Sequence, residues 1–467
     1  MRKTKIICTL GPATEKTETL RQLIDKGADV FRLNMSHATH EWVREIVPRI
    51  RRLAHKAGRP VALLLDTQGP AIRTGDLEAN FQLKPGDILE FTVRGAKSNA
   101  RYSVDVNYPG FAEDVAVGDT VLVDNGLIKL LVLEKGRTRV RTRVLTEAVL
   151  GSRRHINLPG VHVKLPPLTK KDVADISLGA DLAVDFVALS FVRQKSDIEQ
   201  LRLLLSRKKS KAQIVAKIED QLAVRSIDKM IESADVIMVA RGDLGIECPM
   251  EELPIIQRRI VKHCIRLGKP VVVATQLLES MITNPLPTRA EITDVANAVF
   301  EQADALMLSA ETALGRYPVE CVEVLHRVAI RIERSGGAGY AEDAALENVR
   351  QKTVASAVAL ANSLQDSKLI VFTVHGRMAR YASNLRPQRA PIFAFTPSET
   401  VYRQLALSWG TLPVRIDFTG DPDGTIALAE KFLRKNKLAA PGNRMVIISD
   451  VQMGRALIDS IQLRTVK

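Results

Sequence analysis

VIMVARGD, residues 236–243, opens as a five-residue apolar run and stops abruptly at Arg241-Gly242-Asp243. A near-continuous Val/Ile/Met run is what a strand covered on both faces requires. Such strands belong to parallel sheets with helices outside. Seven other stretches have the same form: KIICTLGP (5–12), VFRLNMSH (30–37), VALLLDTQGP (61–70), DFVALSFV (185–192), QIVAKIED (213–220), VVVATQLLES (271–280) and ALMLSAET (305–312). Most are separated by helix-period segments, such as EELPIIQRRIVKHCIRLGK at 251–269. Eight strand–helix units are the count of a TIM (β/α)8 barrel.

One interruption is large. After the third run no helix follows, and residues 70–165 are β-rich, with period-2 alternation and Gly/Asp turns in VGDTVLVDNGLIKLLVLEKGRTRVRTRVL. This predicts a small β-barrel or sandwich inserted in a βα loop. The barrel is then expected over 1–69 and 166–340, together close to the roughly 250 residues typical of the fold. A Gly-rich linker, ERSGGAGYAEDA (333–344), precedes a third unit expected over 341–467. Its helix-like ENVRQKTVASAVALANSL and strand-like KLIVFTV, PIFAFT, LPVRI and RMVIIS read as an open α/β domain.

Composition narrows the function. The chain has 467 residues, 46% of them hydrophobic, enough for more than one core. No apolar stretch approaches the roughly 18 residues of a membrane span. The opening MRKTKIICTLGPAT reads as a first strand rather than a signal peptide. Cys8, Cys248, Cys264 and Cys321 are far apart, form no CxxC pair and imply a reducing, cytoplasmic setting. The net charge of +14 fits a solvated basic surface, as in LRLLLSRKKSKAQ (201–213) read as one amphipathic helix, or a polyanionic substrate. Aromatics are only 4% and do not interleave with the basic residues, which argues against nucleic acid.

In such barrels the chemistry sits at the C-terminal ends of the strands. Those ends carry Thr9, Arg32, Asn34, Ser36, Asp66, Thr67, Ser190, Lys217, Glu219, Arg241, Asp243, Thr275, Gln276, Ser309 and Glu311. Any one of them alone is a loop or cap residue. Lys217 and Glu219 are two apart on a strand and point the same way. That spacing is also that of an ordinary salt bridge. Glu219 and Asp243, from neighbouring strands, offer the carboxylate pair that Mg²⁺ takes with substrate oxygens and water. Lys217 beside them would oppose negative charge developing on a phosphoryl or enolate oxygen. GPATEKT (11–17) lacks the second glycine of a P-loop, and no GxGxxG follows a strand.

The motifs TKIICTLGPAT, RLNMSH, LLLDTQGPAIRTG, INLPG, LTKKD, VAKIED, MVARGDLGIE, ATQLLESMITNPLPTRAEITDVANAV and MLSAETALGRYP resemble the pyruvate kinase family. The resemblance is close from about residue 3 to 330 and looser beyond. It implies a TIM barrel with an inserted β-barrel lid and a C-terminal α/β regulatory domain. It implies transfer of the phosphoryl group of phosphoenolpyruvate to ADP, giving pyruvate and ATP through an enolpyruvate on a divalent metal. Arg32 is then the phosphoryl ligand and Lys217 the transition-state lysine. Glu219 and Asp243 hold Mg²⁺ (or Mn²⁺), and Asn34, Ser36, Asp66 and Thr67 hold K⁺. The backbone of Ala240, Gly242 and Asp243, with Thr275, takes the substrate carboxylate. Thr275 also lies near the protonated carbon, with Ser309 and Glu311 behind it. Asn34, His37, Arg73 and Lys171 contact the nucleotide. A homotetramer and a phosphorylated effector at the C-terminal domain are further implications.

Three departures stand out. In DTQGPAIRT, Ala71 occupies a position where the family has an acid with K⁺ dependence or a lysine without it. In TVHGRMARYASNLRP, His375 and Met378 replace two hydroxyls of a phosphate cradle, with Arg377, Arg380, Arg386 and Arg389 in or near it. SDVQMGRALIDS (449–460) lacks a glycine-rich turn. Rival readings are a lyase or aldolase barrel of 2-oxoacid chemistry, which would lack the insert and RLNMSH, and a non-catalytic RNA or protein binder, which would show erosion at the strand ends.

Overall fold

The computed structural model describes residues 1–453 and 456–467, with side chains throughout except 450–458. Gly454 and Arg455 of SDVQMGRALIDS lie outside the described residues.

Lys5–Thr9, Val30–Asn34, Ala62–Asp66, Phe186–Leu189, Gln213–Ile218, Val236–Ala240, Val271–Ala274 and Ala305–Leu308 form one closed parallel barrel. They follow one another in chain order, and the last pairs back on the first from Lys5↔Ala305 to Cys8↔Leu308. Only Arg32, Asn34 and Gln213 among these strand residues escape full burial. That two-sided burial is why each strand is written as an unbroken apolar run. The lumen is filled by side chains such as Leu64, Phe186, Met238 and Met307, and Ala406 and Leu407 of the C-terminal unit close it from below.

The insert has its own core around Phe91, Phe111 and Leu130. Its main sheet has six strands, running from Ile156–Asn157 at one edge to Tyr102–Asp105 at the other. Single bridges from Arg73 to His155 and from Thr74 to Val106 join the two edges, so the sheet curls into a small barrel. Arg73 therefore sits on the closing seam, facing the large barrel.

The C-terminal sheet orders Thr411–Arg415, Ile392–Thr396, Ser367–Phe372, Arg444–Met453 and Ala456–Thr465, parallel except for the last pair. It is bolted to the foot of the barrel by Arg386, whose guanidinium donates to both oxygens of Asp304 at 3.1 and 2.7 Å. Both side chains are only 2% exposed. The same carboxylate accepts the backbone N–H groups of Val271 and Trp409, so the charge is fully partnered.

Two local expectations change. The helix expected across 201–213 ends at Arg207, and Lys209 adopts a left-handed conformation (φ +53°). The basic run RKKSKAQ is thus mostly loop, with Gln213 already in the fifth strand. The 333–344 linker is packed down: Ala345 N–H donates to the Arg266 carbonyl and Lys262 pairs with Asp343. Among the described residues, no helix is long and apolar enough to cross a membrane.

Candidate active site

The third strand ends at Asp66, a fully buried carboxylate. Its Oδ2 accepts from Arg32 Nε at 2.6 Å, and Lys217 Nζ lies 3.3 Å from its Oδ1. Lys217 Nζ also lies 2.9 Å from Glu219 Oε1 and donates to Ser190 Oγ at 2.8 Å. Burial opposes the Lys217 charge, but Asp66 and then Glu219 outweigh it and hold the ammonium above the usual lysine range. Asp66 is likewise penalised by burial, yet Lys217 and Arg32 keep it below the ordinary carboxylate range. Four consecutive strand ends, from the second to the fifth, thus converge on a buried cluster of two cations and two carboxylates.

Glu219 is the unbalanced member. Burial, with Asp243 adding to it, pushes its carboxyl up to about 7 despite Lys217. Its Oε2 accepts only the Phe191 N–H, at 2.6 Å. Glu219 and Asp243 face one cavity of about 460 Å³. Two repelling carboxylates on one wall are a donor set that fits a hard divalent cation. Among the described residues no group of three or more His, Cys, Asp or Glu could hold a metal.

Asp243 lies in the short helix Arg241–Glu247, where the sixth strand surfaces. Thr275 Oγ1 accepts the Gly242 N–H at 2.8 Å and donates to the Ala274 carbonyl at 2.7 Å. A Cβ on Gly242 would stand 3.3 Å from that hydroxyl, a tight contact that the glycine avoids. Thr275 and Gln276 are both left-handed, at φ +69° and +54°. Arg241, 6% exposed, braces that strained pair: its guanidinium donates to the Thr275 carbonyl at 2.7 and 3.2 Å and to the Gln276 carbonyl at 3.1 Å. Asp294 anchors the other end at 2.7 Å. Glu311 is buried and accepts from the Ser309 and Leu278 N–H groups. The Ser309 hydroxyl is buried without a partner.

The cavity wall brings together Arg32, Asn34, Ser36, His37, Thr67 and Arg73 with Lys217, Glu219 and Asp243. Asp66 lies directly behind it. Ala240, Gly242, Thr275, Ser309 and Glu311 occupy the adjoining strand ends, off the wall. Lys171 is off it too: its ammonium donates to the Met35 carbonyl at 2.6 Å and to Asp175 at 2.7 Å. It clamps the loop that bears Asn34, Ser36 and His37. Asp172, in the same LTKKD motif, accepts the Gln68 and Gly69 N–H groups and fixes the DTQGP loop. Of the insert's share of the wall, sequence reading named Ala71 and Arg73 but missed Asp124, Asn125, Arg153, Arg154 and His155. Asp124, Asn125 and Arg153 are left-handed non-glycine residues; DNG at 124–126 carries the signal of a hairpin turn, whereas nothing around Arg153 does.

Residues 1–322 match the family model described as pyruvate kinase, barrel domain, and residues 351–461 the one described as pyruvate kinase, alpha/beta domain. The chain is 42% identical over 464 residues to pyruvate kinase of Geobacillus stearothermophilus, covering 97% of this chain and 78% of the relative. It is 38% identical to the chloroplastic pyruvate kinase isozyme A of Ricinus communis, over 100% of this chain and 82% of the relative. A crystal structure of a pyruvate kinase from Cryptosporidium parvum superposes with a TM-score of 0.95 at 34% identity, covering 100% of this chain and 96% of that one.

Proposed function

This chain belongs to the pyruvate kinase family, and from that premise we propose how its barrel mouth moves a phosphoryl group from phosphoenolpyruvate to ADP, leaving pyruvate and ATP. Such transfer needs positioning and charge neutralisation more than covalent help. Arg32 holds the phosphoryl group and Lys217 opposes the charge that grows on the bridging oxygen. Glu219 and Asp243 hold a divalent cation, Mg²⁺ or Mn²⁺, which when bound would neutralise charge shared between substrate and phosphoryl oxygens. Asn34, Ser36, Asp66 and Thr67 form the K⁺ site. The backbone at Ala240, Gly242 and Asp243, with Thr275, receives the substrate carboxylate once the Thr275 hydroxyl yields the Gly242 N–H. Thr275, with Ser309 and Glu311 behind it, serves the face where the enol carbon gains its proton. His37 and Arg73 meet the nucleotide. Lys171 reaches it only by leaving Met35 and Asp175, so its first role is to hold the Asn34–His37 loop.

The observation that carries this reading is the Lys217 ammonium, charged and pinned between Asp66, Glu219 and Ser190. Lys217→Met keeps the bulk and removes the charge. In an assay coupled to lactate dehydrogenase, its turnover should fall by about 10²–10³ while phosphoenolpyruvate still binds. Near-normal turnover would remove Lys217 from the chemistry.

Family membership alone supports a cytoplasmic homotetramer. A phosphorylated effector is proposed for a C-terminal cavity of about 460 Å³, whose wall includes Arg350, His375, Arg377, Met378, Thr419 and Thr425. Arg386 and Arg389 stand outside that wall, Arg386 being committed to Asp304. The thinner cation set favours a monophosphate over a bisphosphate. Activation at subsaturating phosphoenolpyruvate by fructose 1,6-bisphosphate alone, lost in Arg377→Ala, would contradict that choice.

A further inference from the structure

The loop after the fourth barrel strand, residues 190–193, touches both connections of the insert and one carboxylate of the mouth. On the exit side the Phe191 ring packs on Gly69, where a Cβ would stand 2.8 Å from the ring. Gly69 is left-handed (φ +72°) and its N–H donates to Asp172, so this backbone is pinned to the barrel. On the return side the ring lies obliquely against His155, with centroids 6.0 Å apart. His155 bridges to Arg73 on the closing seam of the insert. Two residues on, the Arg193 guanidinium donates to the Val163 and Leu165 carbonyls at 2.7 and 3.2 Å.

The backbone beneath that ring is unusual. Phe191 is itself left-handed, at φ +53°. A bulky side chain rarely adopts that conformation, and it persists only where the surroundings impose it. In this conformation the Phe191 N–H donates to Glu219 Oε2 at 2.6 Å. Lys217 Nζ lies 2.9 Å from the other oxygen, Oε1. The two partners together fix the plane of the carboxylate. Without the N–H, Lys217 alone would hold the group, which would then be free to turn about Oε1. Phe191 also lines both the mouth cavity and a smaller one of about 60 Å³ at the root of the insert.

We propose that Phe191 is a positioning residue for the divalent cation: its ring, seated on the root of the insert, aims the N–H that orients Glu219, so that cation affinity depends on how the insert sits. The inference rests on the reading of Glu219 as a metal ligand. Replacing a group that orients a metal ligand typically costs about 10–100-fold in affinity.

The probe is Mn²⁺ alone, its free-ion EPR signal followed in full-length protein without substrate. Phe191→Ala should weaken binding roughly tenfold or more, and the Mn²⁺ needed for half-maximal rate should rise in step. Phe191→Tyr keeps the ring and should bind close to the parent. His155→Ala should weaken binding in the same direction. Added to Phe191→Ala it should change nothing further, because it acts through the ring. A lower Tm with unaltered Mn²⁺ binding would make Phe191 ordinary packing and overturn the proposal. So would additive losses from the two substitutions, or a Phe191→Tyr variant as weak as Phe191→Ala. Glu219→Gln separates this inference from the reading beneath it. If Glu219→Gln weakens Mn²⁺ and Phe191→Ala does not, only the positioning role falls. If Glu219→Gln leaves Mn²⁺ binding unchanged, the metal reading falls and the positioning role with it. If Phe191→Ala does not fold, Phe191→Leu, which keeps apolar bulk without the flat ring, decides between the same outcomes.

Discussion

Arg241 reaches under the mouth and donates from both Nε and Nη2 to the carbonyl of Thr275, thirty-four positions later in the chain. The contact braces the Asp243 turn against the left-handed Thr275–Gln276 pair. A lysine keeps the charge but cannot serve two carbonyls and Asp294 together. Arg241→Lys should fold with a loss of about 1–2 kcal/mol. It should also raise KM for phosphoenolpyruvate and slow solvent-deuterium exchange into the pyruvate methyl group, because Thr275 drifts from the reacting carbon. A lower Tm with unchanged KM and exchange would reduce Arg241 to scaffolding.

Metal dependence follows from the Glu219–Asp243 wall. Asp243→Asn removes one charged ligand and the repulsion it imposes on Glu219. The Mg²⁺ concentration giving half-maximal rate should rise and turnover should drop. Without metal, the melting temperature should hold or increase. A metal titration identical to that of the unmodified chain would leave Asp243 as a turn residue.

Glu247 gives a pH prediction. It is buried where the insert meets the barrel, and Asn157 Nδ2 donates to its Oε1 at 3.2 Å. Burial pushes its carboxyl up to about 7, against that hydrogen bond. Asn157 Oδ1 is itself unpartnered. The folded chain keeps a proton here that the unfolded chain loses near the ordinary glutamate value. The stabilisation is therefore complete below that value and is lost as pH rises through about 7. Glu247→Gln should stabilise the protein at pH 8, by on the order of 3 kcal/mol at most, and flatten the fall in Tm between pH 5 and 7. A glutamine can also donate to Asn157. A variant less stable than the parent at pH 8 would show that the carboxylate is fully satisfied.

The barrel was legible because strands covered on both faces leave runs such as VIMVA and ALLLD with no polar residue until they surface. Lys217, Glu219 and Asp243 were legible for the same reason: a polar residue ending such a run has few places to point. The insert's closure was not, since the Arg73–His155 and Thr74–Val106 bridges join segments with no shared periodicity. The final antiparallel strand, Ala456–Thr465, was passed over because Asp459, Gln462 and Arg464 break its apolar pattern at a sheet edge. Lys171 has partners of its own in the fold. Its i,i+4 spacing to Asp175 was visible in KKDVAD, and in the fold that pairing places it off the cavity wall. Arg241 stood among the strand ends without a role, because its partners are two backbone carbonyls and an acid far along the chain, Asp294.

K⁺ dependence is the sharpest test of what sets this chain apart. Ala71 lines the cavity beside Asn34, Ser36 and Thr67. Its backbone is fixed: the N–H donates to the Gly69 carbonyl, and its own carbonyl accepts from Asn107 Nδ2, each at 3.1 Å. Asp172 pins the preceding residues. The loop therefore keeps its shape while position 71 supplies no charge of either sign. A cation bound at Asn34, Ser36, Asp66 and Thr67 would add positive charge near the phosphoryl group, and without it the transition state loses that stabilisation. Rates in K⁺ should exceed those in tetramethylammonium, at matched ionic strength, by roughly tenfold or more. Ala71→Lys should narrow the gap by placing an ammonium where the ion would act, and Ala71→Glu should widen it. Equal rates for the unmodified chain in the two salts would mean that a basic residue already fills the role. Arg153 and Arg154, which the insert presents to the same cavity, would be the first to replace.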